Sequence, residues 1–205
     1  EGLNILIAQV GGGTYKDAKY MQFGGSNEEN TVYYAKGDRD SQIEYVEASF
    51  SFYTIYRKLQ SDQKIDAFLL VGTKTSSWWS LCEFFAQKAG VDLSRLDVIR
   101  EEDTKIKDVD VVKKKIEDFL ELCIADVKVR IVIQYFGILP EESQKNFYIL
   151  RDSLSELMDS LLLERNNNET VRLHLDISNG FRSFPVYLLC LLYTSPSPRD
   201  TERSR

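Results

Sequence analysis

The sequence has little of the chemistry that metal centres and disulfide scaffolds need. Among 205 residues there are one histidine and three cysteines, Cys82, Cys123 and Cys190, and each cysteine stands isolated in an apolar run. Metal sites are usually clusters of such ligands, and disulfide scaffolds carry even numbers of cysteines. We therefore expect free thiols in a reducing compartment, no metal and no cofactor, and we expect His174 to be a structural strand residue.

An excess of basic residues and a long apolar run are also missing. The formal net charge is -6, whereas binding to long nucleic acid depends on many phosphate contacts by lysine and arginine. We expect no long nucleic acid to be bound, although a few local basic groups are enough for a small anion. The apolar run 188–192 is too short to span a membrane. No membrane partner is expected, and the predicted location is cytoplasmic.

The composition is that of an ordinary globular domain, with 43% hydrophobic and 28% charged residues. A chain of this length buries roughly 70% of its unfolded surface, so it can fold without disulfides or metal. Residues 194–205 (TSPSPRDTERSR) change composition abruptly. We expect a disordered, non-native tail there, and one domain over residues 1–193 in which 98–125 is a candidate insertion.

Four segments repeat one pattern, an apolar and β-rich run that ends in small or polar residues. They are 3–10, 65–73, 129–137 and 171–178. A helix follows each, in the first case after two short strands at 19–23 and 31–35. Strands that alternate with helices predict a parallel sheet with helices on both faces. The predicted fold class is therefore α/β, with a Rossmann-like and mostly parallel sheet.

Apolar residues at helical spacing predict the helices. The predicted ranges are 41–59, 76–89, 109–125, 141–164 and 184–193. Residues 92–108 lack clear periodicity and are treated as a connection. Trp78 and Trp79 could stack on bases, but packing in the core or a dimer is the stronger expectation, because aromatic side chains mostly supply buried area.

The loops that follow the four main strands are expected to meet. Ligands of parallel α/β sheets bind beyond the carboxyl ends of the strands, and these loops hold residues 11–15, 72–77, 136–139 and 178–182. In the last loop, Ser183 can cap a helix whose first turn holds Pro185. The free N–H groups of such a helix start point at one spot that suits an anion.

Two of these loops resemble one known family. Residues 176–185 (DISNGFRSFP) resemble the D-x-T-H-G motif of CRISPR-associated sensor proteins with a Rossmann-like CARF domain. Ser178 keeps the hydroxyl of the usual threonine, and Asn179 replaces the usual histidine. Residues 11–16 (GGGTYK) follow the first strand, where the family has a G-T-G-x-Y-K loop. Two matches in the right order are more specific than either alone.

The resemblance implies a nucleotide second-messenger sensor. Such a domain forms a homodimer, binds cyclic oligoadenylate, and controls an effector such as a HEPN ribonuclease in type III CRISPR antiviral defence. The candidate ligand-binding residues are Gly12, Gly13, Thr14, Tyr15, Lys16, Thr73, Lys74, Ser178, Asn179, Gly180 and Arg182. Asp176 is expected to fix the turn by bonding the backbone that follows it, since a carboxylate facing phosphates would repel them.

Alternatives remain open at this point. The family's ribonuclease motif, R-x4-6-H, is absent, because Arg165 and Arg172 have the wrong spacing to the single histidine. A ring nuclease that cleaves its own cyclic ligand is the second hypothesis, with catalytic residues unknown and no general base evident. An interaction scaffold is the third. Nicotinamide binding ranks low, because the glycines do not form G-x-G-x-x-G.

Arg182 gives the first testable prediction. If it holds a phosphate, its charge-assisted hydrogen bonds are worth about 1.5 to 3 kcal/mol each, so Arg182→Ala should weaken ligand binding by roughly 10- to 100-fold. A titration of the variant with cyclic oligoadenylate measures this loss. Unchanged affinity would remove Arg182 from the site.

Overall fold

The structure is a computed structural model that describes residues 2–12, 18–22, 44–96, 109–135, 140–164 and 170–176. The strands are β1 (Leu3–Val10), β2 (Ala18–Gln22), β3 (Glu44–Ala48), β4 (Ala67–Thr73), β5 (Lys128–Gln134) and β6 (Val171–Asp176). The helices are α1 (Ser51–Asp62), α2 (Trp78–Ala89), α3 (Val109–Cys123) and α4 (Pro140–Glu164), with a short 3-10 turn at Leu93–Leu96.

Four strands form one parallel sheet in the order β5, β4, β1, β6. Ile7 of β1 lies opposite Leu69 of β4 on one side and Leu175 of β6 on the other. At the end of β4, Thr73 lies opposite Gln134, the last residue of β5. Because the strands run in the same direction, their last residues share one edge, called the carboxyl edge below. The predicted α/β fold with a Rossmann-like parallel sheet is confirmed.

Helices cover both faces of this sheet. On one face, α1, α2 and α3 pack against it through a cluster that includes Phe52, Phe85 and Leu120. On the other face, α4 packs Leu150 and Leu157 against the sheet. All eight residues of β1 are buried, as expected for a central strand covered on both sides. The sheet therefore has two cores, and its carboxyl edge lies between the layers of helices.

The outer side of β5 is bonded by carboxylates of α3. The Val129 N–H donates to Glu121 Oε1 at 2.9 Å, and the Ile131 N–H donates to Glu117 Oε1 at 2.7 Å. An edge strand with free N–H groups is a template on which another chain can pair. The two carboxylates therefore pair two outward N–H groups of β5 and hold α3 beside this strand.

The segment before α1 is where the sequence prediction was wrong. Apolar spacing predicted a helix over 41–59, but Glu44–Ala48 form β3 and pair antiparallel with β2, and α1 begins at Ser51. Short apolar runs fit the strand and the helix period equally well. Pairing with β2 supplies backbone hydrogen bonds that favour the strand over the helix in this segment. The first of the two predicted short strands, at 19–23, is confirmed as β2.

The strand predicted at 31–35 and the helix predicted at 184–193 lie outside the described residues. The other predicted elements are confirmed with small shifts at their ends. α3 contributes Ile116 and Leu120 to the core. The assignment of 98–125 as an insertion and the domain limits both stay predictions. No helix among the described residues has both the length and the apolarity needed to cross a bilayer.

Candidate functional site

The loops after β1 and β4 touch at the carboxyl edge. The Ser77 N–H donates to the Gly11 carbonyl at 2.9 Å. A Cβ placed on Gly12 would lie 3.0 Å from the Thr75 carbonyl oxygen, so the two backbones pass too close for a larger residue to fit without a shift. Two of the four predicted loops thus lie in direct contact, and Gly12 lies beside the turn that carries Lys74.

A serine and a tryptophan hold this turn in place. Ser76 Oγ accepts a hydrogen bond from the Thr73 N–H at 2.8 Å and donates to the Val10 carbonyl at 2.6 Å. Trp78 Nε1 donates to the Thr73 carbonyl at 2.8 Å, and the Trp78 ring is buried. Core packing of Trp78 is confirmed. Its buried ring packs under the turn in the core and is not available to stack on a base.

Thr73 and Lys74 are neighbours with different surroundings. Thr73 is only 3% exposed, and its Oγ1 lies 3.2 Å from Thr75 Oγ1, so its hydroxyl bonds within the turn. The Lys74 side chain is exposed. Because the turn fixes the Lys74 backbone at the carboxyl edge, its ammonium group is the part of this turn best suited to an anion.

Asp176 ends β6 and fastens it to α1. Its Oδ2 accepts a hydrogen bond from Ser51 Oγ at 2.7 Å, and both side chains are buried. Ser51 is the first residue of α1, and a negative charge at a helix N-terminus is stabilised by the helix dipole. Asp176 therefore joins β6 to α1, a structural role that was not predicted. The predicted role, bonds to the backbone that follows it, lies outside the described residues and stays a prediction.

Most of the predicted site residues also lie outside the described residues. They are Gly13, Thr14, Tyr15, Lys16, Ser178, Asn179, Gly180 and Arg182. Their roles stay predictions. The structure does place Asp176, the last described residue before the motif loop, beside Ala8 of β1, so β6 ends at the same edge as β1.

Sequence reasoning missed two buried amides near the strand ends. Gln9 is 4% and Gln134 is 6% exposed. Ile7 and Val132, two positions earlier in the same strands, belong to the core under α4, so both amides lie on the α4 face of the sheet. The sequence contained a signal for these amides: a polar side chain near the end of an otherwise apolar strand costs free energy to bury unless it is hydrogen-bonded.

His174 lies away from the carboxyl edge. Its Nε2 is 3.3 Å from Asn4 Oδ1 near the start of β1, and burial, together with the charge of Arg172, lowers the pKa of the ring. The lowered pKa keeps the imidazole neutral at pH 7, and its structural role is confirmed. Neither Cys82 nor Cys123 is part of a disulfide, and burial raises the pKa of Cys123 to about 11.

A hollow of about 380 Å³ lies at the opposite, amino edge of the sheet. Three acids, Asp66, Glu121 and Asp126, and two lysines, Lys64 and Lys128, line it. Because the acids outnumber the lysines, this hollow suits a phosphate poorly.

The chain is similar to a CRISPR-associated protein. The two sequences are 28% identical over 206 residues, which cover 93% of this chain. The chain spans 28% of the length of this relative, which comes from Methanocaldococcus jannaschii. No protein-family model and no solved structure matches the chain. The CARF assignment therefore still depends on the motif residues.

Proposed function

We propose that this chain is a sensor domain of CRISPR antiviral defence that binds cyclic oligoadenylate at the carboxyl edge. The observation that carries the proposal is the contact between the β1 and β4 loops, where Gly12 lies against Thr75 and next to the exposed Lys74. The similarity to a CRISPR-associated protein supports the link to defence. The position of β6 beside β1 supports a contribution from the motif loop.

The chemistry of the edge suits a small phosphorylated ring. Lys74 offers a positive charge, and close backbone approach at Gly12 lets main-chain groups reach a ligand. A protein of net charge -6 repels long polyanions, whereas a compact ring with few phosphates needs only a few local charges. In the proposal, two copies bind one ring across a two-fold axis, and the bound ring regulates an effector domain such as a HEPN ribonuclease.

Calorimetric titration with cyclic tetra-adenylate and cyclic hexa-adenylate tests the proposal. We expect one ring to bind and to remain intact after incubation. Linear products would favour the ring nuclease. If neither ring produces heat of binding, the sensor is contradicted and an interaction scaffold is favoured. Sedimentation of the chain with and without the ring reports whether the ligand-bound species is a dimer.

Lys74→Ala is expected to weaken binding of the ring about 10-fold, because it removes a charge-assisted contact to phosphate. Lys64→Ala is the matched control. It removes the same charge from an exposed lysine at the amino edge and should leave affinity unchanged. Equal losses in the two variants would show that only the overall charge matters, and equal affinities would exclude Lys74 from the site.

A further inference from the structure

Gln134 carries a buried hydrogen-bond donor without a partner among the described residues. The residue is 6% exposed, and its Nε2 makes no hydrogen bond to any of them. Almost all buried polar groups of folded proteins are paired, because leaving one unpaired costs stability. This unpaired donor therefore lowers the stability of the ligand-free protein. Such a cost is explained if the donor forms a hydrogen bond when a ligand is bound.

The position of this donor points to the carboxyl edge. Gln134 is the last residue of β5 and lies opposite Thr73 in the register. Adjacent strands are about 4.8 Å apart, so the amide is one strand away from the turn that holds Lys74. β1, with Gly12 after its end, is the next strand along. The donor thus belongs to the same row of strand ends as the proposed ligand site.

The polar side chains of Asn146 and Thr73, which lie near Gln134, already form hydrogen bonds with other groups. Asn146 of α4 uses both ends of its amide on the Tyr135 backbone: Oδ1 accepts from the Tyr135 N–H at 2.7 Å, and Nδ2 donates to its carbonyl at 2.9 Å. Thr73 bonds within its own turn. Within the part of the chain that the structure describes, these neighbours give Gln134 Nε2 no acceptor, so the donor can serve a bound molecule.

We infer that Gln134 is a specificity-determining residue that donates its Nε2–H to a ring nitrogen of an adenine in the bound ligand. The inference rests on the proposed function. A nucleobase suits this position better than a phosphate, because a charge needs compensation when it is buried and Gln134 is neutral. Lys74, which is exposed, serves the phosphate. A glutamine amide is also a side chain whose geometry matches adenine.

Gln134→Met tests this with a side chain of similar size that has no donor. Its affinity for the ring that the wild type binds should fall about 10-fold, while its denaturant midpoint without ligand should equal or exceed that of the wild type. Gln87→Met makes the same change at an exposed position of α2 and should alter neither. A merely structural Gln134 would give the opposite result, a lower midpoint with unchanged affinity, and that result overturns the inference.

The atom that is recognised can be found with modified ligands. Cyclic oligoadenylates in which C–H replaces N1, N3 or N7 of adenine each lack one acceptor. The wild type should bind one of the three about 10-fold more weakly than the natural ring, and Gln134→Met should bind that ligand and the natural ring equally. A wild type that binds all four ligands alike overturns the inference. This failure differs from failure of the proposed function, in which the wild type binds no ring.

Discussion

Gly72→Ala is expected to lower the free energy of unfolding by about 3 kcal/mol, the upper range for overpacking a tight core. A Cβ at this position would lie 2.7 Å from both Ser76 Oγ and Trp78 Cζ2, and 2.9 Å from the Val10 carbonyl oxygen. The carbonyl belongs to the central strand, and the Trp78 ring is buried. None of the three can move without disturbing a neighbour.

The same substitution should also weaken ligand binding, because Ser76 and Trp78 hold the turn that carries Lys74. Equilibrium denaturation measures the stability loss, and titration with the ring measures the affinity. Gly90→Ala is the matched control: Gly90 ends α2 with φ of 67° and has open space around it, so only the backbone conformation costs energy, about 1 kcal/mol. Similar losses in both variants would contradict the steric explanation.

Glu117→Ala is expected to lower the free energy of unfolding by about 3 kcal/mol, because it leaves the Ile131 N–H without its acceptor. Glu117 is 2% exposed, and its Oε1 accepts that N–H at 2.7 Å. Arg130 also loses its partner, Glu117 Oε2, at 3.6 Å. Denaturation midpoints measure the loss. The freed edge of β5 should in addition raise the tendency to aggregate, which light scattering reports.

Glu117→Gln separates the hydrogen bond from the charge, since its side-chain carbonyl can still accept the Ile131 N–H. Burial raises the pKa of Glu117 above its ordinary 4.5, and the hydrogen bond from Ile131 and the charges of Lys113 and Arg130 offset this only in part. A raised folded pKa contributes stability below the unfolded pKa, and this is lost as pH rises through the folded pKa.

The wild type should therefore lose stability relative to Glu117→Gln as pH rises above the ordinary carboxyl pKa of 4.5. Denaturation of both proteins across this range gives the difference directly and cancels the titration of the other carboxyl groups. A difference that does not change with pH would show that Glu117 titrates alike in the folded and unfolded chain.

Much of the sheet could be predicted because its strands are buried on both faces. Largely apolar runs such as Leu3–Val10 and Ala67–Thr73 identify central strands of a parallel sheet without knowledge of their neighbours. The antiparallel pair of β2 and β3 was predicted only in part. Its strands are short, and the one at Glu44–Ala48 fits a helical period as well, so pairing with β2 decides its conformation.

The candidate site shows the same division. That the loops holding Gly12 and Lys74 share an edge follows from strand direction alone, which alternating strands and helices already imply. The bond from Ser77 to Gly11 and the roles of Ser76 and Trp78 in the turn could not be predicted, because a turn sequence does not tell which distant carbonyl a side chain will reach.

The sequence by itself determined the fold class, the two-sided burial of the sheet and the edge at which the loops after β1 and β4 meet, because these depend on hydrophobic period and chain direction. Only the tertiary structure decided that Glu121 and Glu117 accept the outward N–H groups of Val129 and Ile131, that Asp176 bonds Ser51 and that Gln134 Nε2 has no partner among the described residues. Hydrogen bonding between residues far apart in the chain depends on distances of a few tenths of an ångström, and these exist only once the layers have packed.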